Sequence, residues 1–108
     1  MIGMQKAGTS WFYKQLSEHP QITMSTEKEV HYWDMNAGRG SEWYEAQFPP
    51  PPLGDVGSSR LSIAGEVTPD YLNLPMPLVA RVAEYNPRMK ILLCFRDEID
   101  RVWSSFMM

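Results

Sequence analysis

Lys6 stands two residues ahead of Gly8, and Thr9 and Ser10 follow, in the stretch "GMQKAGTSWF" (residues 3–12). These are residue types that hold anions. Glycine lets backbone N–H groups come close to a ligand. Hydroxyls donate to phosphate oxygens, and an ammonium is a mobile point charge for a leaving group that gathers negative charge. The triphosphate pattern G-x-x-x-x-G-K-[ST] places its lysine after the second glycine, whereas Lys6 precedes Gly8. A strand, a glycine turn and a helix start nevertheless make a general anion site, because unpaired N–H groups and the helix dipole converge there. The plain alternative is a helix start with a solvated lysine.

Two other stretches carry reactive types. "KEVHYWD" (residues 28–34) brings Glu29, His31 and Asp34 together, and alternation along a strand would turn Glu29, His31 and Trp33 to one side. Read alone, it is a surface carboxylate beside a half-buried histidine. "CFRDEIDRVWSSF" (residues 94–106) places Arg96 at the end of an apolar run and Ser104 eight residues later. Arginine suits bidentate phosphate contacts and serine adds a donor. Read alone, "RDEIDR" is a charged helix start, with Asp97 and Arg101 spaced for an i,i+4 ion pair.

The elements that would position these groups alternate. Residues 1–4 predict the end of a strand, and Thr9 or Ser10 a cap for a helix to about Glu18 with Trp11, Phe12 and Leu16 on its apolar face. Pro20 ends that helix. Residues 29–33 predict extended chain, 41–48 a short helix capped by Ser41, 49–52 a polyproline connection and 53–60 a mobile loop. A short buried strand over 61–67 and a loop over 68–75 come next. Leu78, Val79, Val82 and Tyr85 predict a helix with Pro77 in its first turn and Pro87 beyond its end. "KILLCF" (residues 90–95) reads as a parallel strand buried on both faces. Ile99, Val102, Trp103 and Phe106 mark a last amphipathic helix. The pattern predicts an α/β fold with a parallel sheet.

Composition narrows the function classes. A chain of 108 residues with 44% hydrophobic content fits one small domain. The net charge of −3 argues against a general binder of nucleic acid or anionic membranes. No apolar run approaches the roughly 20 residues of a membrane span, and residues at the N-terminus show no basic-then-apolar signal pattern. The lone Cys94 makes a reducing, cytoplasmic setting the default. Two His and one Cys give no zinc pattern. Trp33, Trp43, Trp103 and the eight Met read as core or gap-filling residues, and His19 as a helix-end residue.

Taken in order, the motifs resemble those of sulfotransferases that use 3′-phosphoadenosine 5′-phosphosulfate (PAPS). "GMQKAGTSWFYKQLSEHPQI" is similar to their 5′-phosphosulfate loop, here residues 3–10, with its Lys-Ala/Ser/Gly-Gly-Thr core. The resemblance implies that Lys6, Ala7, Gly8, Thr9 and Ser10 bind the 5′ end, Lys6 stabilising the departing phosphate. "KEVHYWD" resembles the "KEVHFFD" of heparan-sulfate-type enzymes, which implies Glu29 as general base, with His31 and Asp34 near the acceptor. Residues 94–106 resemble the 3′-phosphate motif "LRDPxxRxxSxY", implying that Arg96 and Ser104 hold the 3′-phosphate. "GEVTPDYL" and "NPRMKILLCFRD" resemble "EKTPxYF" and "NPxxKLLxxLRDP".

The resemblance covers nearly the whole chain. It implies a P-loop-like three-layer α/β/α fold, sulfuryl transfer from PAPS to a hydroxyl or amine acceptor, a carbohydrate among the candidates, and no metal. It also implies that residues 1–108 are the N-terminal part of a truncated sulfotransferase domain. Three positions depart from the pattern: Val67 replaces a lysine, Glu98 a proline and Ser10 an arginine found in some relatives. An ATP-dependent, kinase-like phosphotransferase and a non-catalytic nucleotide-binding fragment are the alternatives.

Overall fold

The computed structural model describes residues 1–50 and 63–107. In chain order it holds β1 (Ile2–Gly3), α1 (Thr9–Ser17), β2 (Ile22–Met24), α2 (Ser41–Glu45), β3 (Ile63–Gly65), α3 (Met76–Tyr85), β4 (Leu93–Cys94) and α4 (Glu98–Phe106). A π-helical turn spans Tyr32–Asn36, and 3-10 turns span Ala37–Arg39 and Pro69–Asn73. β1 lies parallel to β4, Ile2 opposite Leu93 and Gly3 opposite Cys94. β2 lies parallel to β3, Ile22 opposite Ile63 and Met24 opposite Gly65. The chain is therefore α/β with parallel pairing, but the two pairs are separate small sheets among the described residues. A Cβ on Gly3 would sit 2.6 Å from the Cys94 carbonyl oxygen, so this close pairing requires glycine.

α1 begins where Gly8 turns left-handed at φ 82°, and it carries no side-chain cap, so neither Thr9 nor Ser10 caps it. Thr9 is instead its first helical residue. It ends at Ser17, ahead of Pro20 as the sequence requires. Of its expected apolar face only Leu16 is half-buried. Trp11 and Phe12 are exposed, whereas Tyr13 is half-buried and donates to the Ser25 carbonyl at 2.6 Å.

Residues 29–33 form no strand. Glu29 and His31 take left-handed φ values of 64° and 52°. Their neighbourhood is hydrogen-bonded outward: Glu29 N–H donates to the Val67 carbonyl at 2.8 Å, and Asn36 Nδ2 donates to the Val30 and His31 carbonyls at 3.3 and 3.0 Å. The turn that follows carries Tyr32 and Trp33 into the core beside Val30 and Tyr44. Tyr32 stacks on Tyr44 at 4.4 Å, and Trp33 meets Tyr44 and Tyr85 edge-on. α2 starts from Gly40 without a side-chain cap from Ser41 and delivers Tyr44 to that cluster.

Later elements keep their places but differ in burial. Ile63 is exposed, and the buried positions lie past the strand, at Val67 and Thr68, both at 0%. Residues 69–73, expected as loop, make a 3-10 turn. α3 runs as predicted between Pro75 and Asn86. The β4 region is not buried on two faces, since Ile91, Leu92, Leu93 and Phe95 are all exposed. The apolar side of α4 is exposed too, so Trp103 is not a core residue, unlike Trp33. Apolar periodicity marks which side can be buried; it does not supply the partner that buries it. Among the methionines Met24 is buried, but Met35, Met76 and Met107 are exposed. Asp97 makes no ion pair with Arg101; its Oδ1 accepts from the Ile99 and Asp100 N–H groups and caps α4. Arg101 lies nearer Glu98, at 3.8 Å. Half of the polyproline stretch, Pro51 and Pro52, and all of the Gly/Ser-rich loop lie outside the described residues.

Candidate functional site

The pairing of β1 with β4 brings together two stretches some 90 residues apart. The turn after β1 presents Lys6, with φ 62°, and Gly8. Immediately after β4 comes Arg96, whose Nη1 donates to the Lys6 carbonyl at 3.0 Å and to Ser104 Oγ at 2.9 Å. Ser104 reaches back because α4, capped by Asp97, begins just beyond Arg96 at Glu98. The two expected phosphate-holding stretches are thus in direct contact.

They share a cleft of about 450 Å³. Its wall includes Lys6, Gly8, Thr9, Ser10, Arg96, Ser104 and Glu29. Ala7 does not line it. The start of α1 belongs to this wall and has no side-chain cap. Its first-turn N–H groups and the positive end of its dipole therefore suit an anion. Gln5, Lys28, Pro69 and Asp70 complete the lining, and of these the sequence singled out none as a site residue. Asp70 occupies the variable position of "TPDYL", so only its place in the fold reveals it.

Behind Glu29 runs a chain of polar groups. Lys28 Nζ approaches Glu29 Oε1 at 2.5 Å, and Glu29 Oε2 lies 3.6 Å from His31 Nε2. On its other side His31 Nδ1 meets Asp34 Oδ2 at 2.8 Å. Glu29 and His31 meet as the sequence predicts, through left-handed turns rather than strand alternation, while Trp33 points into the core. His31 and Asp34 do not line the cleft. The hydrogen bond from Lys28 holds the Glu29 carboxyl below the usual carboxylate range, against a smaller opposing effect of burial. The Asp34 carboxylate raises the His31 imidazole above its ordinary value; burial opposes, and Glu29 and Asp70 add to the rise. His31, Asp34 and Asp70 offer ligand atoms within 4.8 Å of one another, a donor set of the kind divalent cations accept.

No family model matches the chain. It is 30% identical over 106 residues to the membrane-associated sulfotransferase kil1 of Dictyostelium discoideum, a match covering 98% of this chain and 21% of that protein. It is 28% identical over 108 residues to the human heparan sulfate glucosamine 3-O-sulfotransferase 5, covering 98% of this chain and 29% of that protein. The chain spans less than a third of the length of either relative. No helix among the described residues is long and apolar enough to cross a membrane. With two sulfotransferases aligned over 98% of its length, this chain is sulfotransferase-like.

Proposed function

We propose that this chain supplies the donor site and the proton acceptor for sulfuryl transfer from PAPS to a hydroxyl or amine. The observation that carries the reading is the meeting of Lys6, Gly8, Thr9 and Ser10 with Arg96 and Ser104 on one cleft that Glu29 also lines. ATP carries no 3′-phosphate and would leave the second cluster without a partner. PAPS would provide the activated sulfuryl group, and two separate anion receptors in one cleft fit its two phosphate positions. The reading carries with it a P-loop-like α/β/α arrangement in which the β1–β4 pair belongs to the central sheet.

Within that site each residue has a physical task. Gly8, Thr9 and Ser10 bind the 5′ end through the open start of α1. Lys6 stabilises the charge that grows on the bridging oxygen as the sulfur–oxygen bond breaks. Arg96 and Ser104 hold the 3′-phosphate. Glu29, kept ionised by Lys28, takes the proton that the acceptor oxygen or nitrogen gives up as it bonds to sulfur. His31, held by Asp34, orients Glu29 from behind.

A carbohydrate acceptor is suggested by the heparan sulfate relative. Val67 separates this chain from that pattern: it is fully buried and holds Glu29 through its carbonyl, where heparan-type enzymes place a lysine. Thermal shift decides the donor. Adenosine 3′,5′-bisphosphate should stabilise the chain more than ATP with Mg²⁺, and an equal or larger shift from ATP would overturn the reading. With labelled PAPS and a panel of sugars and alcohols, Lys6→Ala should lower turnover by roughly 10²–10³-fold.

A further inference from the structure

Glu66 is a half-buried carboxylate that does not line the cleft, and the mechanism above leaves it unused. Three hydroxyls surround it. Tyr44 Oη donates to its Oε1 at 2.5 Å, while Thr68 Oγ1 and Tyr71 Oη donate to its Oε2 at 3.0 and 3.3 Å. The Tyr71 oxygen in turn accepts the N–H of Tyr32 at 2.8 Å and that of Trp33 at 3.4 Å. These are the two residues directly after His31.

The direction of this relay is dictated by donor chemistry. Backbone N–H groups can only donate, so the Tyr71 oxygen must accept from them and send its own proton elsewhere. An ionised carboxylate only accepts, and Glu66 is placed to do so. The adjoining Val67 carbonyl takes the Glu29 N–H at 2.8 Å. Residues 66–71 thereby clamp the 29–32 turn at both ends. That turn needs a clamp, because Glu29 and His31 are non-glycine residues held at φ 64° and 52°. Such conformations persist only where the surroundings over-determine them.

We propose that Glu66 is a positioning residue: through the Tyr71 hydroxyl it fixes the left-handed turn that sets Glu29 and His31 against each other at the cleft. The proposal rests on the catalytic reading of Glu29 for its significance, but its test does not require turnover. Burial raises the Glu66 carboxyl above the usual range, and the Tyr44 and Thr68 hydroxyls, the Met1 ammonium and the Tyr71 hydroxyl work against that rise.

The readout is the pH titration of the His31 ring by NMR, assigned against His19 with a His19→Gln chain. Glu29, Asp34 and Asp70 face that ring, and its raised titration depends on the Asp34 contact at 2.8 Å. In Tyr71→Phe and in Glu66→Gln the His31 midpoint should fall toward the ordinary value of about 6.5. Tyr85→Phe is the control. It removes a hydroxyl that donates to Glu45 at 3.1 Å from the same aromatic cluster, without touching the turn, and it should leave the midpoint in place.

A folded Tyr71→Phe or Glu66→Gln chain with an unchanged His31 midpoint would overturn the proposal. So would an equal fall in Tyr85→Phe, or loss of the fold in both test variants, since either assigns these groups to the core alone. Binding of adenosine 3′,5′-bisphosphate, measured alongside, should be the same in all these chains. Its absence throughout would count against the donor site and leave the His31 result standing.

Discussion

At the scale of single residues, the Asp34–His31–Glu29 chain makes two opposite pH dependences. His31 titrates above its ordinary value of 6.5 in the folded chain. Its pairing therefore stabilises the fold fully below about pH 6.5, and that stability disappears as the pH rises through the folded value. Asp34→Asn should remove this dependence, so that urea midpoints of the two chains converge as the pH rises from about 6.5 through the folded value of His31. Glu29 behaves in the reverse sense: its depressed titration stabilises the fold above the ordinary carboxylate range and is lost as the pH falls. On the donor side, Arg96→Ala removes a charged donor. It should weaken binding of adenosine 3′,5′-bisphosphate about tenfold or more in a calorimetric titration. Lys6, Gly8, Thr9 and Ser10 were legible in the sequence because they are contiguous and share one turn. Asp70 was not, because it meets His31 and Gln5 only through the fold.

At the scale of elements, the start of α1 depends on backbone conformation rather than space. A Cβ at Gly8 would touch nothing within 4 Å, yet φ is 82°. Gly8→Ala should therefore cost roughly 1–2 kcal/mol in chemical denaturation, through left-handed strain alone. Helix boundaries at Pro20, Pro77 and Pro87 could be read from the chain because proline acts locally. The 29–36 segment could not. Its β-prone residues are turned by hydrogen bonds to Val67 and Tyr71, whose positions are set by tertiary structure. Propensity yields to such contacts.

For the whole molecule, stability and surface are divided between two regions. The cluster of Val30, Tyr32, Trp33 and Tyr44 holds four of the six buried hydrophobic residues among those described, Met24 and Val67 being the other two. α4 displays Ile99 at 80% exposure and Phe106 at 81%. Val67→Ala should cost roughly 2 kcal/mol by the loss of buried methyl groups. Ile99→Lys should stay within about 0.5 kcal/mol. Thermal melts of the two variants check the contrast.

The unlike beginnings of the two helices beside the cleft have a further consequence. α4 is closed by the chain's own carboxylate, Asp97, while α1 opens on a bare glycine turn. Asp97 occupies N–H groups at the start of α4, whereas no side chain caps the start of α1. For the proposed ligand, a single nucleoside with phosphates at its 3′ and 5′ positions, the uncapped start of α1 is the berth for the larger 5′ group, and the 3′-phosphate depends on the Arg96 charge and the Ser104 hydroxyl rather than on a helix start. On the proposed reading, this difference between the two helix starts sets which way round the ligand lies.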